Sequence, residues 1–135
     1  MRNAKCGMRN EEMRGDMGEY DLRKRTKVFA LRIIKLVESL PSGKTVDVIG
    51  KQLLRCGTSV GANYRASCRA KSQADFIAKM GIVEEESDES IYWMELLVES
   101  GLVRRELLDN LINEADEIVA IVVSSIKTAK QNKPK

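Results

Sequence analysis

The chain has 135 residues, 43% of them hydrophobic and 32% charged, with a formal net charge of +3. Those values suit one globular domain with a buried core, and the mild charge neither demands nor excludes nucleic acid. Two prolines and 4% aromatic residues argue for helices over a β-sandwich, and the absence of histidine rules out nucleophile–histidine catalysis and Cys/His metal sites.

Residues 1–19 are charged, methionine-rich and without apolar periodicity, and are expected to form a disordered extension. Met17 stands directly before the ordered pattern and is a candidate for the true start. The sequence has no apolar signal-peptide core and no run near the roughly 20 apolar residues of a membrane span, so the expected compartment is the cytoplasm. One domain is expected over 20–130, with a frayed tail at 131–135.

The first helix is predicted from Asp21, its cap, to Leu40. Leu22, Phe29, Ile33, Leu36 and Leu40 repeat at helical spacing, and Pro41-Ser42-Gly43 stops the run. Its outer face is basic: Arg23, Lys24, Arg25, Lys27, Arg32 and Lys35. The second helix starts near Thr45, a candidate N-cap. Ile49, Leu53, Cys56 and Val60 form its stripe. Gly50, Gly57 and Gly61 each cost about 1 kcal/mol against alanine in a helix, which calls for close approach by another helix or, failing that, a kink.

The third helix opens on the capping-box variant Ser72-Gln73-Ala74-Asp75 and ends at Ser100-Gly101. Phe76, Met80, Val83, Met94 and Leu97 mark its inner face, with Ser87 and Ser90 in the same stripe. A hairpin turning near Gln73 sets Asn63 level with Val83 and near Ser87. A buried polar layer of Asn63, Ser87 and Glu86 is expected to fix register. The fourth helix runs from about Arg104 to Ala129 on Leu108, Leu111, Ala115, Ile118, Val122 and Ile126. Its apolar surface is wider than one core stripe, so Val119, Ile121 and Val123 are candidates for a subunit interface. Four helices with short connections predict an all-α, antiparallel up-down-up-down four-helix bundle.

Cys6, Cys56 and Cys68 form an odd set. Cys56 and Cys68 lie about 18 Å apart along one helix, too far to bridge. Reduced cysteine acting as a small hydrophobe is the expectation.

Two acidic motifs invite a metal reading. Glu85, Glu86 and Glu89 fit Glu-Glu-x-x-Glu, and Glu106 with Asp109 fits Glu-x-x-Asp. The pair resembles the magnesium motif of all-α nucleoside triphosphate pyrophosphohydrolases. Register weighs against it, since Glu89 and Glu106 differ in height by roughly 14 Å. The motif for a di-iron site, Glu-x-x-His, is missing. Residues 57–61 are glycine-containing but lack the lysine of a phosphate loop. No metal and no cofactor is expected.

Residues 52–66 (QLLRCGTSVGANYRA) and 75–97 (DFIAKMGIVEEESDESIYWMELL), with DLRKR at 21–25, resemble the four helix bundle protein family, also called 23S rRNA intervening sequence proteins. The likeness runs from about Tyr20 to Lys127. The resemblance implies a closed bundle assembled into a homopentameric ring. Some family genes lie within insertions in large-subunit ribosomal RNA genes. A related branch serves diversity-generating retroelements and binds reverse transcriptase and nucleic acid. No catalytic residue carries over from the resemblance. Glu85 stands where some relatives have a base.

The resulting expectation is a non-enzymatic, ring-forming scaffold for RNA, DNA or a nucleic-acid-processing protein, with no membrane partner. Candidate phosphate contacts are Arg23, Lys24, Arg25 and Lys27 on the first helix and Arg65, Arg69 and Lys71 at the end of the second. Lys51 and Arg55 are set apart, because they fall where the third helix offers acids.

Overall fold

The computed structural model describes residues 22–132. The expected extension at 1–19, Met17, the Asp21 cap and residues 133–135 of the tail lie outside them. Four helices follow in order: α1 (Leu22–Glu38), α2 (Lys44–Ser67), α3 (Gln73–Glu99) and α4 (Arg105–Gln131). No strand occurs among the described residues. Each helix packs on its neighbours in sequence, and α1 returns to α4 over a shorter contact, which closes the bundle.

The ends follow from local chemistry. Gly43, at φ 154° and ψ 153°, turns the chain into α2 in a conformation closed to most side chains. The N-cap of α2 is Gly43, without a side-chain cap bond, so Thr45 falls in the first turn instead of capping it. Ser72 caps α3 as its spacing predicts, accepting the Asp75 N–H at 3.0 Å. At the other end Gly101 takes φ 80°. The Gly101 N–H donates to the Val98 carbonyl and the Leu102 N–H to the Leu97 carbonyl, a Schellman pair that stops α3.

The core is the set of stripes read from the sequence. Leu22, Phe29, Ile33, Leu53, Cys56, Val60, Met80, Val83, Met94, Leu97, Leu108, Ala115, Ile118 and Val122 are fully buried. The glycines of α2 face α1. A Cβ on Gly57 would stand 2.9 Å from both γ-carbons of Ile33, and one on Gly61 3.3 Å from the Thr26 carbonyl oxygen. Close approach is therefore the reason for those glycines, and α2 is one uninterrupted helix.

The buried polar layer differs from the expected one. Ser87 is fully buried, but its hydroxyl donates to its own helix at Val83. Asn63 is half-buried and donates to the Ser59 carbonyl, and half-buried Glu86 pairs with Arg55. The buried polar contact between α2 and α3 is instead the Ser90 hydroxyl, which bonds back to the Glu86 carbonyl at 2.8 Å and lies 3.3 Å from the Cys56 sulfur. Short serine side chains can bond back to the preceding turn, and so they need no partner on the next helix. Cys56 is a buried free thiol, whereas Cys68 is disulfide-bonded and departs from the expectation of a reduced side chain.

Candidate nucleic-acid interface

The basic residues divide into paired and unpaired sets. On α2, Arg55 bonds Glu86 at 3.3 Å and also Glu89. Glu89 in turn accepts the Trp93 indole N–H at 3.1 Å. That indole bond, with Arg55 beside it, holds the Glu89 carboxyl below its usual range. Arg55 answers the register argument that set it apart, with Glu86 and Glu89 as the acids that α3 offers it. Lys51 is exposed, and no ion pair holds it among the described residues.

Arg25 behaves like Arg55. Its guanidinium bonds both carboxylate oxygens of Glu114 and one of Glu117, at 2.7–2.9 Å. Glu114, helped by Glu117, pushes the Arg25 pKa up against the opposing effect of burial. Arg25 therefore lies in the α1–α4 seam and not on the open basic face where its neighbours stand. In sequence the signal was available: Glu114 and Glu117 lie three apart, so both can reach one fork.

The remaining candidates stay open. Arg23, Lys24, Lys27, Arg65 and Arg69 are exposed and join no ion pair among the described residues. Lys71 is also exposed, and its backbone N–H donates to Asp75, a carboxylate already held by Lys79 at 2.6 Å. Three of these bases come together. Arg23 and Lys27 from α1 and Arg65 from α2 flank one groove of about 350 Å³, floored by Ala30, Gly61 and Ala62. Sequence spacing alone missed this, since it depends on how closely α1 and α2 approach. Arg69 and Lys71 are not among the residues lining it.

The interface candidates on α4 are split. Val119 and Ile121 are half-buried against the rim of the core, and Val123 is exposed. The excess apolar surface is spread more widely: Val28, Leu31 and Ile34 on α1 are exposed as well. The acidic motif does not converge. Glu86 and Glu89 bind Arg55, and Glu85 faces solvent. Among the described residues no three acidic, cysteine or histidine side chains are placed to hold a metal ion.

A model of the 23S rRNA-intervening sequence protein family matches residues 18–124. The chain belongs to that family. A solved structure of a protein of unknown function from the S23 ribosomal protein family of Bacteroides thetaiotaomicron is 39% identical. It superposes with a TM-score of 0.74 over 78% of this chain and 98% of its own. A search of curated proteins finds no match. The 23S rRNA-intervening sequence protein family thus carries the four-helix architecture. No helix among the described residues is long and apolar enough to cross a membrane.

Proposed function

We propose that this 23S rRNA-intervening sequence protein is a non-catalytic, ring-forming cytoplasmic scaffold. Its basic face binds the phosphate backbone of RNA or DNA, alone or together with a nucleic-acid-processing protein. The observation that carries this reading is the segregation of charge. Arg25 and Arg55, in the helix seams, each hold two carboxylates, while Arg23, Lys24, Lys27, Arg65 and Arg69 hold none among the described residues. Unneutralised exposed bases, three of them gathered around one groove, are the electrostatic footprint of a polyanion. A ring would repeat the face by symmetry, and linked weak sites gain avidity. Exposed Val28, Leu31, Ile34 and Val123 supply apolar surface for the contacts between copies.

The test is affinity for a structured RNA at low and moderate salt. Counterion release makes binding fall steeply with salt. Binding that ignores salt, or none at low salt, overturns the reading. A metal-dependent nucleotide hydrolase is the competing reading. Pyrophosphate release from a nucleotide panel with magnesium, abolished by Glu86→Gln, would establish it instead.

A further inference from the structure

Resting on the nucleic-acid reading above, the geometry points to a narrower site: we propose that the α1–α2 groove is a phosphate-recognition site that takes a backbone phosphodiester of a single strand. Arg23 and Lys27 lie one turn apart on α1, and Arg65 faces them from α2. Like charges one helical turn apart repel. Among the described residues no carboxylate lines the groove to offset them. The arginines in the neighbouring seams show that this chain does supply carboxylates where a base is structural.

The donors in the groove also select the ligand. The Thr26 hydroxyl donates to the Arg23 carbonyl at 3.2 Å, and the Thr58 hydroxyl to the Leu54 carbonyl at 2.7 Å. Those protons are spent on the helices, so recognition falls to the three cationic side chains. Two are arginines, whose planar forks match phosphate oxygens. Among the described residues no aromatic ring lines the groove, and the nearby Tyr64 is buried, so these residues offer no platform for base stacking. The floor of Ala30, Gly61 and Ala62 leaves a recess of about 350 Å³. That is the lower end of small-ligand sites, which span about 300–1,000 Å³. One flexible strand can lay a phosphate into it, whereas a convex duplex meets only its rim.

Ala62 is exposed on the groove floor, so Ala62→Glu sets a carboxylate among the cations without touching the core. Ala62→Gln controls for bulk. Ala78→Glu makes the same charge change on an exposed site of α3 outside the groove. Binding of a labelled single-stranded oligonucleotide and of its duplex would be followed by anisotropy across a salt series, with circular dichroism to verify folding. The expected result is about a tenfold loss of single-strand affinity in Ala62→Glu and a salt slope reduced by about one unit. Ala78→Glu stays near wild type, and Ala62→Gln, which fills part of the recess without adding charge, loses less than Ala62→Glu and keeps the wild-type salt slope. Equal effects of Ala62→Glu and Ala78→Glu, or no effect of Ala62→Glu, overturn the groove while leaving salt-dependent binding intact. A duplex weakened by the same factor overturns the single-strand assignment. If wild type binds no nucleic acid, the nucleic-acid reading fails, and calorimetry with inorganic tripolyphosphate decides the groove. Tripolyphosphate uptake lost in Ala62→Glu keeps the phosphate chemistry with a free phosphate as its source, and no uptake overturns it.

Discussion

Arg25 on α1 and Glu114 on α4 are 89 residues apart in sequence and joined by two parallel hydrogen bonds of 2.9 and 2.8 Å. Only about a fifth of each side chain is exposed, so this fork sits in the thin seam where the bundle closes. Removing one partner strands the other in a half-buried place. Arg25→Met is expected to lower unfolding free energy by about 2 kcal/mol. Arg25→Lys should recover part of it, since lysine keeps the charge but loses the fork. Denaturant midpoints at constant m-value check both.

The glycines separate by their surroundings. Gly57→Ala drives a Cβ to 2.9 Å from both γ-carbons of Ile33, and a β-branched side chain cannot swing both away. Overpacking of about 1–3 kcal/mol should exceed the gain in helix propensity. Gly81→Ala meets nothing within 4 Å and should stabilise by about 0.5–1 kcal/mol. Opposite shifts in melting temperature are the expected signature, and a stabilised Gly57→Ala would refute the close-approach account.

Acid should weaken the Glu89 network. Its carboxyl is held below the usual range, chiefly by the Trp93 indole bond and then by Arg55. A depressed carboxyl stabilises the fold above its unfolded pKa, about 4.3, and loses that contribution as pH falls through the folded value. Glu89→Gln is therefore less stable than wild type near neutrality, and the two converge in acid. Paired denaturation curves across that range test it; a gap that widens toward low pH contradicts the assignment.

Cys56 should be inert in the folded protein. Burial raises its pKa, against the lowering effect of the Ser90 hydrogen bond. Raised pKa and no exposure together disfavour the reactive thiolate. Alkylation at neutral pH, located by peptide mass mapping, is expected at Cys56 only as denaturant unfolds the bundle. Fast labelling under native conditions would show that α2 and α3 separate locally.

If copies assemble through the apolar surface left on α1 and α4, Val123→Glu and Leu31→Glu should reduce the sedimenting mass without loss of helicity, because both side chains are exposed in one chain. Val119→Glu and Ile121→Glu also place charge against the rim of the core, and should cost stability as well. A wild type that sediments as a folded monomer at micromolar concentration removes the ring.

Helix number, order and core stripes were legible because each depends on periodicity within a single segment. The Ser72 cap and the Gly101 stop were legible for the same reason. What depends on the packing of two segments was less so. Ser90 bonds back to Glu86 and also reaches Cys56, while Asn63 turns back on Ser59, because ångström-scale spacing decides whether a hydroxyl or amide reaches the next helix as well as its own turn. The sequence places the candidate bases in two groups, on the outer face of the first helix and at the end of the second. Packing withdrew Arg25 into a seam and gathered Arg23, Lys27 and Arg65 around one recess.

The absence of a side chain at Gly61 has a consequence for binding entropy. The contact of α2 on the Thr26 backbone sets the floor of the recess by main chain against main chain. Rotamers do not set that floor, so a ligand need not order the base of the frame it enters. Only Arg23, Lys27 and Arg65 must give up freedom, at about 0.5–1.5 kcal/mol for each immobilised side chain. A single recess is then a shallow, quickly exchanging foothold, and residence time would come from how many are occupied along one strand.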